Sequence, residues 1–200
     1  MDLKDKNNIN SCIEYYLQIS PTNDDIKLRV LTDLLSTIIR EPCFNQLRTK
    51  EQLGYVVFSG LRKGRTSIGF RVLVQSERSS EYLEYRIDEF IRKFGKYVNH
   101  ELTDENFYKF KQALIDAKLQ KLKHLSEETN RLWSAITDGY YEFDARQKHA
   151  SLLETVTKQE FINFFNEYVA GVENNKNGKT GKFVLHLKSC LLYTSDAADD

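Results

Sequence analysis

The chain has 200 residues, and its 29 Lys and Arg residues balance 29 Asp and Glu residues to a formal net charge of zero. This balance argues against a nucleic-acid-binding arm or a polybasic membrane anchor as the dominant feature. A content of 40% hydrophobic and 12% aromatic residues can form a real core, which argues against an intrinsically disordered chain. No apolar run approaches the roughly 18 residues that a membrane-spanning helix needs.

The first quarter of the chain predicts a strand followed by a helix. Apolar and polar residues alternate over residues 12–19, which is the period of a strand with one buried face. Over residues 31–39 the apolar residues recur at helical spacing, and Pro42 should end this helix about two residues earlier. A short helical turn over residues 43–53 should follow, with Gly54 as its C-terminal stop.

A β-hairpin should come next, because two strand patterns flank a basic stretch that contains glycine. Its strands are predicted at residues 55–58 and 68–74, and residues 60–65 are expected to form the connecting loop. Most of the remaining chain is predicted to be helical, with apolar stripes behind the polar N-terminal signals Ser79, Thr103, Ser126 and Thr157. A Gly- and Asn-rich loop over residues 171–181 leads to a closing strand at residues 183–187.

This order of elements predicts an α+β fold. We expect a two-layer sandwich, in which one antiparallel or mixed sheet of about four strands is covered by helices on one face. The domain should comprise residues 1–188. Residues 189–200 continue none of these patterns, and we expect them to form a disordered or non-native tail.

Several features that would mark a self-contained enzyme are absent from the sequence. The four histidines stand singly, and neither H-E-x-x-H nor H-x-x-E-H occurs. G-x-S-x-G and glycine-rich phosphate-binding motifs are also missing. The three cysteines are widely spaced and fit no zinc ligand set, so a reducing compartment is the simplest interpretation. The N-terminus shows no signal-peptide core, and we expect a cytoplasmic location and no metal bound by this chain.

The chemical features concentrate in residues 41–55, which read E-P-C-F-N-Q-L-R-T-K-E-Q-L-G-Y. Here a helix end that carries Arg48 runs through a glycine turn into a strand that starts at Tyr55. A guanidinium and a phenol hydroxyl near one turn can converge on a peptide carbonyl and stabilise negative charge on its oxygen. From spacing alone, the simpler interpretation is a helix C-terminus where Arg48 favours the helix dipole and Tyr55 only packs.

The same segment, continued by V-V-F-S-G and by residues 69–71 and 75–77, resembles the C-terminal domain of insulysin-like, pitrilysin-type inverzincin metallopeptidases. Its R-x-x-E-Q-L-G-Y core is the most specific part, and the resemblance covers residues 7–188. It implies that residues 1–188 are the fourth, C-terminal α+β domain of a zinc metalloendopeptidase that is built from two halves and degrades short peptides.

The resemblance also implies a division of labour between the two halves. The N-terminal half would be the partner of this chain and would hold zinc through an H-x-x-E-H helix. Arg48 and Tyr55 would bind the peptide substrate and stabilise the tetrahedral intermediate from the wall opposite the zinc, with Glu51, Gln52 and Gly54 as candidate supporting residues. The chain alone would then be inactive. A homodimer of the full-length enzyme is compatible with this assignment, and we expect neither nucleic acid nor membrane as a partner.

Two other functions stay open from the sequence. A non-catalytic member of the same superfamily would act as a structural or processing-complex subunit. Residues 66–72, T-S-I-G-F-R-V, also faintly resemble the RNP1 strand of an RNA-binding sheet, which needs aromatic side chains on an open sheet face. The zero net charge and the helical second half argue against RNA binding.

Overall fold

The computed structural model describes residues 7–22, 24–64, 66–170 and 181–189. In these residues the strands are β1 (Ser11–Ser20), β2 (Val56–Lys63), β3 (Ile68–Ser76) and β4 (Gly181–Leu187). The α-helices are α1 (Ile26–Cys43), α2 (Ser80–Lys96), α3 (Asp104–Leu119), α4 (Leu125–Thr137), α5 (Ala145–Thr155) and α6 (Lys158–Tyr168). Two π-helical segments, Phe44–Lys50 and Tyr97–Glu101, continue α1 and α2.

The four strands form one antiparallel sheet in the order β2-β3-β1-β4. β1 lies between β3 and β4, and its register with β3 places Ser11 opposite Ser76. The side chains of β1 that face the helices are all buried, namely Ile13, Tyr15, Leu17 and Ile19. The side chains that lie between these four along the strand, Glu14, Tyr16 and Gln18, are only half-buried. Helices therefore cover one face of the sheet, and the predicted two-layer α+β fold is confirmed.

α1 does not end where the sequence predicts. It passes through Pro42 and continues directly into the first π-helical segment, so the prediction that Pro42 stops this helix is wrong. A proline inside a helix loses its own N–H donor and crowds the carbonyl four residues earlier. The N–H of Phe44 nevertheless bonds to the carbonyl of Arg40, so helical bonding resumes directly after Pro42. Cys43 and Leu47 are fully buried, so packing against the core holds the turns on either side of this position.

The hairpin between β2 and β3 has a shorter loop than predicted. Strand pairing continues as far as Lys63, which lies opposite Ile68, so the connection comprises only residues 64–67. Arg62, expected in the loop, lies in β2. It forms an ion pair of 3.3 Å with Glu14 of β1, across the intervening strand β3. Backbone pairing with β3 thus keeps extended a stretch whose glycine and basic residues suggested a loop.

Three helices begin at the N-caps that the sequence predicts. The side-chain oxygens of Ser79, Thr103 and Thr157 each accept a hydrogen bond from a backbone N–H three residues further on. The apolar stripes of these helices join the inner face of the sheet in one core, whose largest fully buried side chains include Phe70, Phe161 and Phe165. The caps therefore fix the points from which α2, α3 and α6 pack onto the sheet.

α4 differs from the other helices because none of its residues is buried. Its predicted apolar stripe exists, but Trp133 and Ile136 are exposed. The helix begins at Leu125, and the carboxylate of Glu127 accepts a hydrogen bond from the backbone N–H of His124. α4 is thus an amphipathic surface helix that contributes no buried side chain to the core.

The closing strand is present as β4, which pairs with β1. Residues 171–180 of the predicted loop and residues 190–200 of the predicted tail lie outside the described residues. None of the helices in the described part of the chain is long and apolar enough to cross a membrane.

Candidate functional site

The candidate site lies where the helical segment after α1 passes into β2. The first π-helical segment ends with a backbone hydrogen bond that spans five residues, the spacing of a π-helix. The N–H of Glu51 donates it to the carbonyl oxygen of Gln46 over 3.0 Å. π-Helical turns are rare and occur frequently at functional sites. Residues 51–54, which we name the connector, then lead to Tyr55 and into β2.

Arg48 projects from the π-helical segment against the end of the connector. Its Nη1 donates a hydrogen bond of 3.1 Å to the carbonyl oxygen of Gly54. Its guanidinium carbon lies 5.1 Å from the ring centroid of Tyr55 and 5.9 Å from that of Phe44. A guanidinium over an aromatic face is attracted by the ring quadrupole. Arg48 therefore holds the end of the connector and the Tyr55 ring at the same time.

Tyr55 stands at the surface immediately before β2. It is 85% exposed, so its ring is not part of the core and its hydroxyl is accessible from outside. The structure brings the predicted pair Arg48 and Tyr55 together as direct neighbours on the surface.

Glu51 is the first residue of the connector and is held by two other side chains. Its carboxylate accepts two hydrogen bonds of 2.7 Å from Arg86, which lies on α2, and one of 2.6 Å from Gln46. The bonds from Arg86, and to a smaller extent the bond from Gln46, hold the pKa of Glu51 below its usual range against the opposing effect of burial. Glu51 thus supports the connector through α2 rather than by contacting Arg48.

Gln52 and Gly54 have different roles from those expected. Gln52 adopts a left-handed backbone with φ of 50°, which is unfavourable for a residue with a side chain. Gly54 is not in the left-handed region, so it is not the helix stop that the sequence predicts. Instead, a Cβ atom at Gly54 would lie 1.8 Å from the carbonyl oxygen of Gln75 on β3. Gly54 is therefore needed for the close approach of the connector to β3.

An open groove of about 570 Å³ adjoins Tyr55. Its walls are the connector and Tyr55 on one side and the end of β3 on the other, and Asn10 closes it near the start of β1. The polar residues of its lining that are not buried include Asn10 and Gln75, and Glu77 and Arg78 add charged side chains. Carboxamides and hydroxyls both donate and accept hydrogen bonds, so the groove can pair with a peptide backbone.

The described residues do not fit a zinc ion. No three His, Cys, Asp or Glu side chains in this part of the chain lie close enough together to hold a metal. His186 on β4 instead lies 2.8 Å from a carboxylate oxygen of Glu84 on α2. His149 is a partly buried side chain of α5.

The RNA-binding alternative meets a structural obstacle. Phe70, the aromatic residue of the RNP1-like stretch, is fully buried on the face of β3 that the helices cover. It is therefore unavailable for stacking on a base from the open face of the sheet.

The sequence patterns do not identify Arg86 and Gln46 as residues of the candidate site. Arg86 lies 35 positions after Glu51, and its apolar neighbours on α2 indicate only an amphipathic helix. Gln46 lies inside the motif, five positions before Glu51, and the π-helical turn brings the two side chains together. The five-residue separation of Gln46 and Glu51 was the only sequence signal for their contact, and it is informative only in a π-helical turn. The contact of Arg86 is visible only in the folded structure.

Comparisons with known proteins identify relatives of this chain. Residues 34–133 match the family model described as PQQ synthase PqqF-like, C-terminal lobe domain 4. The matched part contains both Arg48 and Tyr55.

The curated relatives include two proteases of much greater length. The chain is 44% identical over 187 residues to the A-factor-processing enzyme of Saccharomyces cerevisiae, covering 94% of this chain and 17% of that protein. It is 39% identical over 186 residues to the insulin-degrading enzyme of Homo sapiens, covering 90% of this chain and 18% of that protein. The chain thus spans less than a fifth of the length of these relatives.

Solved structures agree with the fold. The crystal structure of pitrilysin superposes with a TM-score of 0.76 at 25% sequence identity, covering 90% of this chain and 19% of that chain. The periplasmic protease PqqL of Escherichia coli superposes with a TM-score of 0.64 over 94% of this chain and 20% of that chain, at 14% identity. At that identity the second comparison shows the fold alone.

Proposed function

Because this chain belongs to the insulysin-like, pitrilysin-type metallopeptidase family as a domain 4 of the C-terminal lobe, we propose that it forms the substrate-binding wall of a zinc metalloendopeptidase. In this proposal Arg48 and Tyr55 bind the backbone of a short peptide and stabilise the tetrahedral intermediate. The N-terminal half of the full-length enzyme would hold the zinc ion, since the described residues of this chain do not fit one. The observation that carries the proposal is the contact between the half-buried Arg48 and the exposed Tyr55, whose ring centroid lies 5.1 Å from the guanidinium carbon.

The chemistry of this pair suits a peptide carbonyl. As the carbonyl carbon becomes tetrahedral, negative charge develops on its oxygen, and donors already placed near that position stabilise it. The Tyr55 hydroxyl can donate one hydrogen bond. Arg48 carries a permanent positive charge and has five N–H donors. The hydrogen bond to Gly54 uses one of these donors. Since stacking and this hydrogen bond already orient Arg48, little ordering would be needed when substrate binds.

The groove beside Tyr55 supports a peptide as the ligand. The carboxamide side chains of Asn10 and Gln75 can pair with backbone N–H and carbonyl groups, which all peptides share. Recognition of this kind would depend weakly on the substrate sequence. We therefore propose that the domain holds extended peptides by their backbone.

The test is Tyr55→Phe in the full-length protease, because this change removes one hydroxyl and keeps the ring that stacks on Arg48. Loss of an oxyanion donor costs about 2.7 to 4 kcal/mol, so kcat should fall about a hundredfold or more. KM should change by less than about threefold, since an interaction made mainly in the transition state contributes little to ground-state binding. Peptide cleavage under single-turnover conditions would measure the chemical step directly.

Tyr108→Phe is the matched control, because Tyr108 is an exposed tyrosine on α3. It should leave both constants unchanged. Unchanged turnover in Tyr55→Phe would remove the catalytic role. A full-length protein that carries a zinc site but cleaves no peptide would favour the non-catalytic subunit instead.

A further inference from the structure

We propose, building on the proposed function, that Arg86 is a positioning residue for Tyr55, the exposed member of the substrate-binding pair. Arg86 lies on α2 and does not belong to the R-x-x-E-Q-L-G-Y motif. Through Glu51 it ties the connector to the body of the domain. The geometry of the substrate-binding pair then depends on an ion pair that lies outside it.

The contact between Arg86 and Glu51 has the geometry of a strong ion pair. Nε of Arg86 lies 2.7 Å from Oε2 of Glu51, and Nη2 lies 2.7 Å from Oε1. Two parallel N–H···O bonds of this kind fix orientation as well as distance. The side chains of Arg86 and Glu51 are only 19% and 14% exposed, so solvent screens them little.

The connector needs such an anchor because its conformation is unfavourable by itself. Gln52 has the left-handed φ of 50°, and such a backbone persists only where the surroundings hold it. Leu53 is buried, and its N–H bonds to the carbonyl of Leu47 over 3.0 Å. Arg48 holds the carbonyl of Gly54. Leu53 and Gly54 are thus held on the C-terminal side of Gln52. On its N-terminal side, Glu51 is held by its bonds to Arg86.

Arg86 differs from the other anchors in the element that carries it. Gln46, Leu47 and Arg48 all belong to the π-helical segment and would move together with it. Arg86 belongs to α2, whose residues Leu83 and Ile87 are fully buried in the core. The bond to Glu51 therefore fixes the connector relative to the rest of the domain. It thereby also fixes the position from which the Tyr55 side chain projects into solvent.

A double-mutant cycle in the full-length protease tests this role. The variants are Arg86→Met, Tyr55→Phe and the double substitution, compared by kcat and KM for one peptide. A displacement of about 1 Å at a catalytic group can cost about a hundredfold in rate, so Arg86→Met should lower kcat by about tenfold or more with KM nearly unchanged. In the Tyr55→Phe background the same change should cost less than about threefold, because the hydroxyl it positions is already gone.

Two further variants separate positioning from general stability. Arg92→Met is the matched control on the same helix, since Arg92 pairs with Glu89 within α2; it should leave kcat unchanged. Arg86→Lys keeps the charge but loses the two-pronged geometry, so it should restore kcat only in part. If Arg86→Met does not fold, Glu51→Gln replaces it in the cycle with the same expectations.

The outcomes distinguish this proposal from the function on which it builds. Full additivity of Arg86→Met and Tyr55→Phe would overturn the positioning role, because the two residues would then act independently. A normal kcat in Arg86→Met, together with a deficient Tyr55→Phe, would overturn positioning and leave the substrate-binding function standing. A normal kcat in Tyr55→Phe would overturn the proposed function itself.

Discussion

Gly54 offers a direct test of how β3 shapes the candidate site. In Gly54→Ala the new Cβ would lie 1.8 Å from the carbonyl oxygen of Gln75 and 2.8 Å from its carbonyl carbon. Both atoms belong to the backbone of a paired strand, and the first distance is more than an ångström shorter than Cβ contacts in proteins. The connector must therefore move away from β3, and the hydrogen bond from Arg48 to the Gly54 carbonyl must lengthen or break.

The size of the effect follows from three contributions. Forced overpacking costs about 1 to 3 kcal/mol, and loss of a hydrogen bond to a charged donor costs about 1.5 to 3 kcal/mol. The lower entropy of the unfolded Ala variant offsets about 0.4 to 1 kcal/mol. Partial movement of the connector relieves some of both costs, so we expect a net destabilisation of about 3 kcal/mol. For a chain of this size this corresponds to a decrease in Tm of about 6 to 12 °C.

Urea unfolding of the 200-residue chain, followed by far-UV circular dichroism, measures this loss. Fluorescence of Trp133 is a poor probe, since this single tryptophan is 63% exposed and reports little on the core. The midpoint should fall with an unchanged m-value. Gly181→Ala is the control, because the nearest heavy atom to its Cβ would lie 3.9 Å away. A Gly54→Ala variant within about 0.5 kcal/mol of the parent would refute the role of the close approach.

Two further predictions concern ionisable groups that lie away from the site. Burial holds the pKa of His149 at about 4, below the usual 6.5; the unfolded chain then binds the proton more tightly, and stability should fall by about 2 kcal/mol between pH 6.5 and 4. The urea midpoint should depend less on pH across this range in His149→Gln than in the parent. A parent midpoint that does not change with pH would contradict the lowered pKa of His149. Glu142→Gln should cost about 3 kcal/mol, because Arg29, with a side chain 6% exposed, loses its bidentate partner. Thermal melts should show far less for Glu105→Gln in the exposed pair with Lys109, under about 0.5 kcal/mol.

Local patterns were sufficient to predict most of the fold. Alternation over β1 and β3 predicted their buried faces, since a period of two places every second side chain on one side of a strand. Ser79, Thr103 and Thr157 marked helix starts because a short side-chain oxygen can satisfy a free N–H at that point. These features depend on neighbours within four residues, so the sequence contains them directly.

Features that depend on distant residues could not be predicted in this way. Pro42 favours a helix end locally, yet packing of Cys43 and Leu47 in the core outweighs that preference. The motif identified Arg48 and Tyr55, and the structure places them in contact. Its local pattern contains no information on Arg86, because the contact of Arg86 with Glu51 exists only once α2 packs beside the π-helical segment.

The connector shows why the position of a glycine indicates a constraint without identifying it. A glycine after a helical turn commonly supplies a left-handed residue that ends the helix. Here Gln52 takes the left-handed conformation and Gly54 makes room for the backbone of β3 at Gln75. The left-handed residue that ends the helical segment is therefore Gln52, two positions before Gly54. The position of Tyr55 is consequently set by β3 through Gly54 as well as by the helix that carries Arg48, so the two halves of the candidate site are fixed by two layers of the fold.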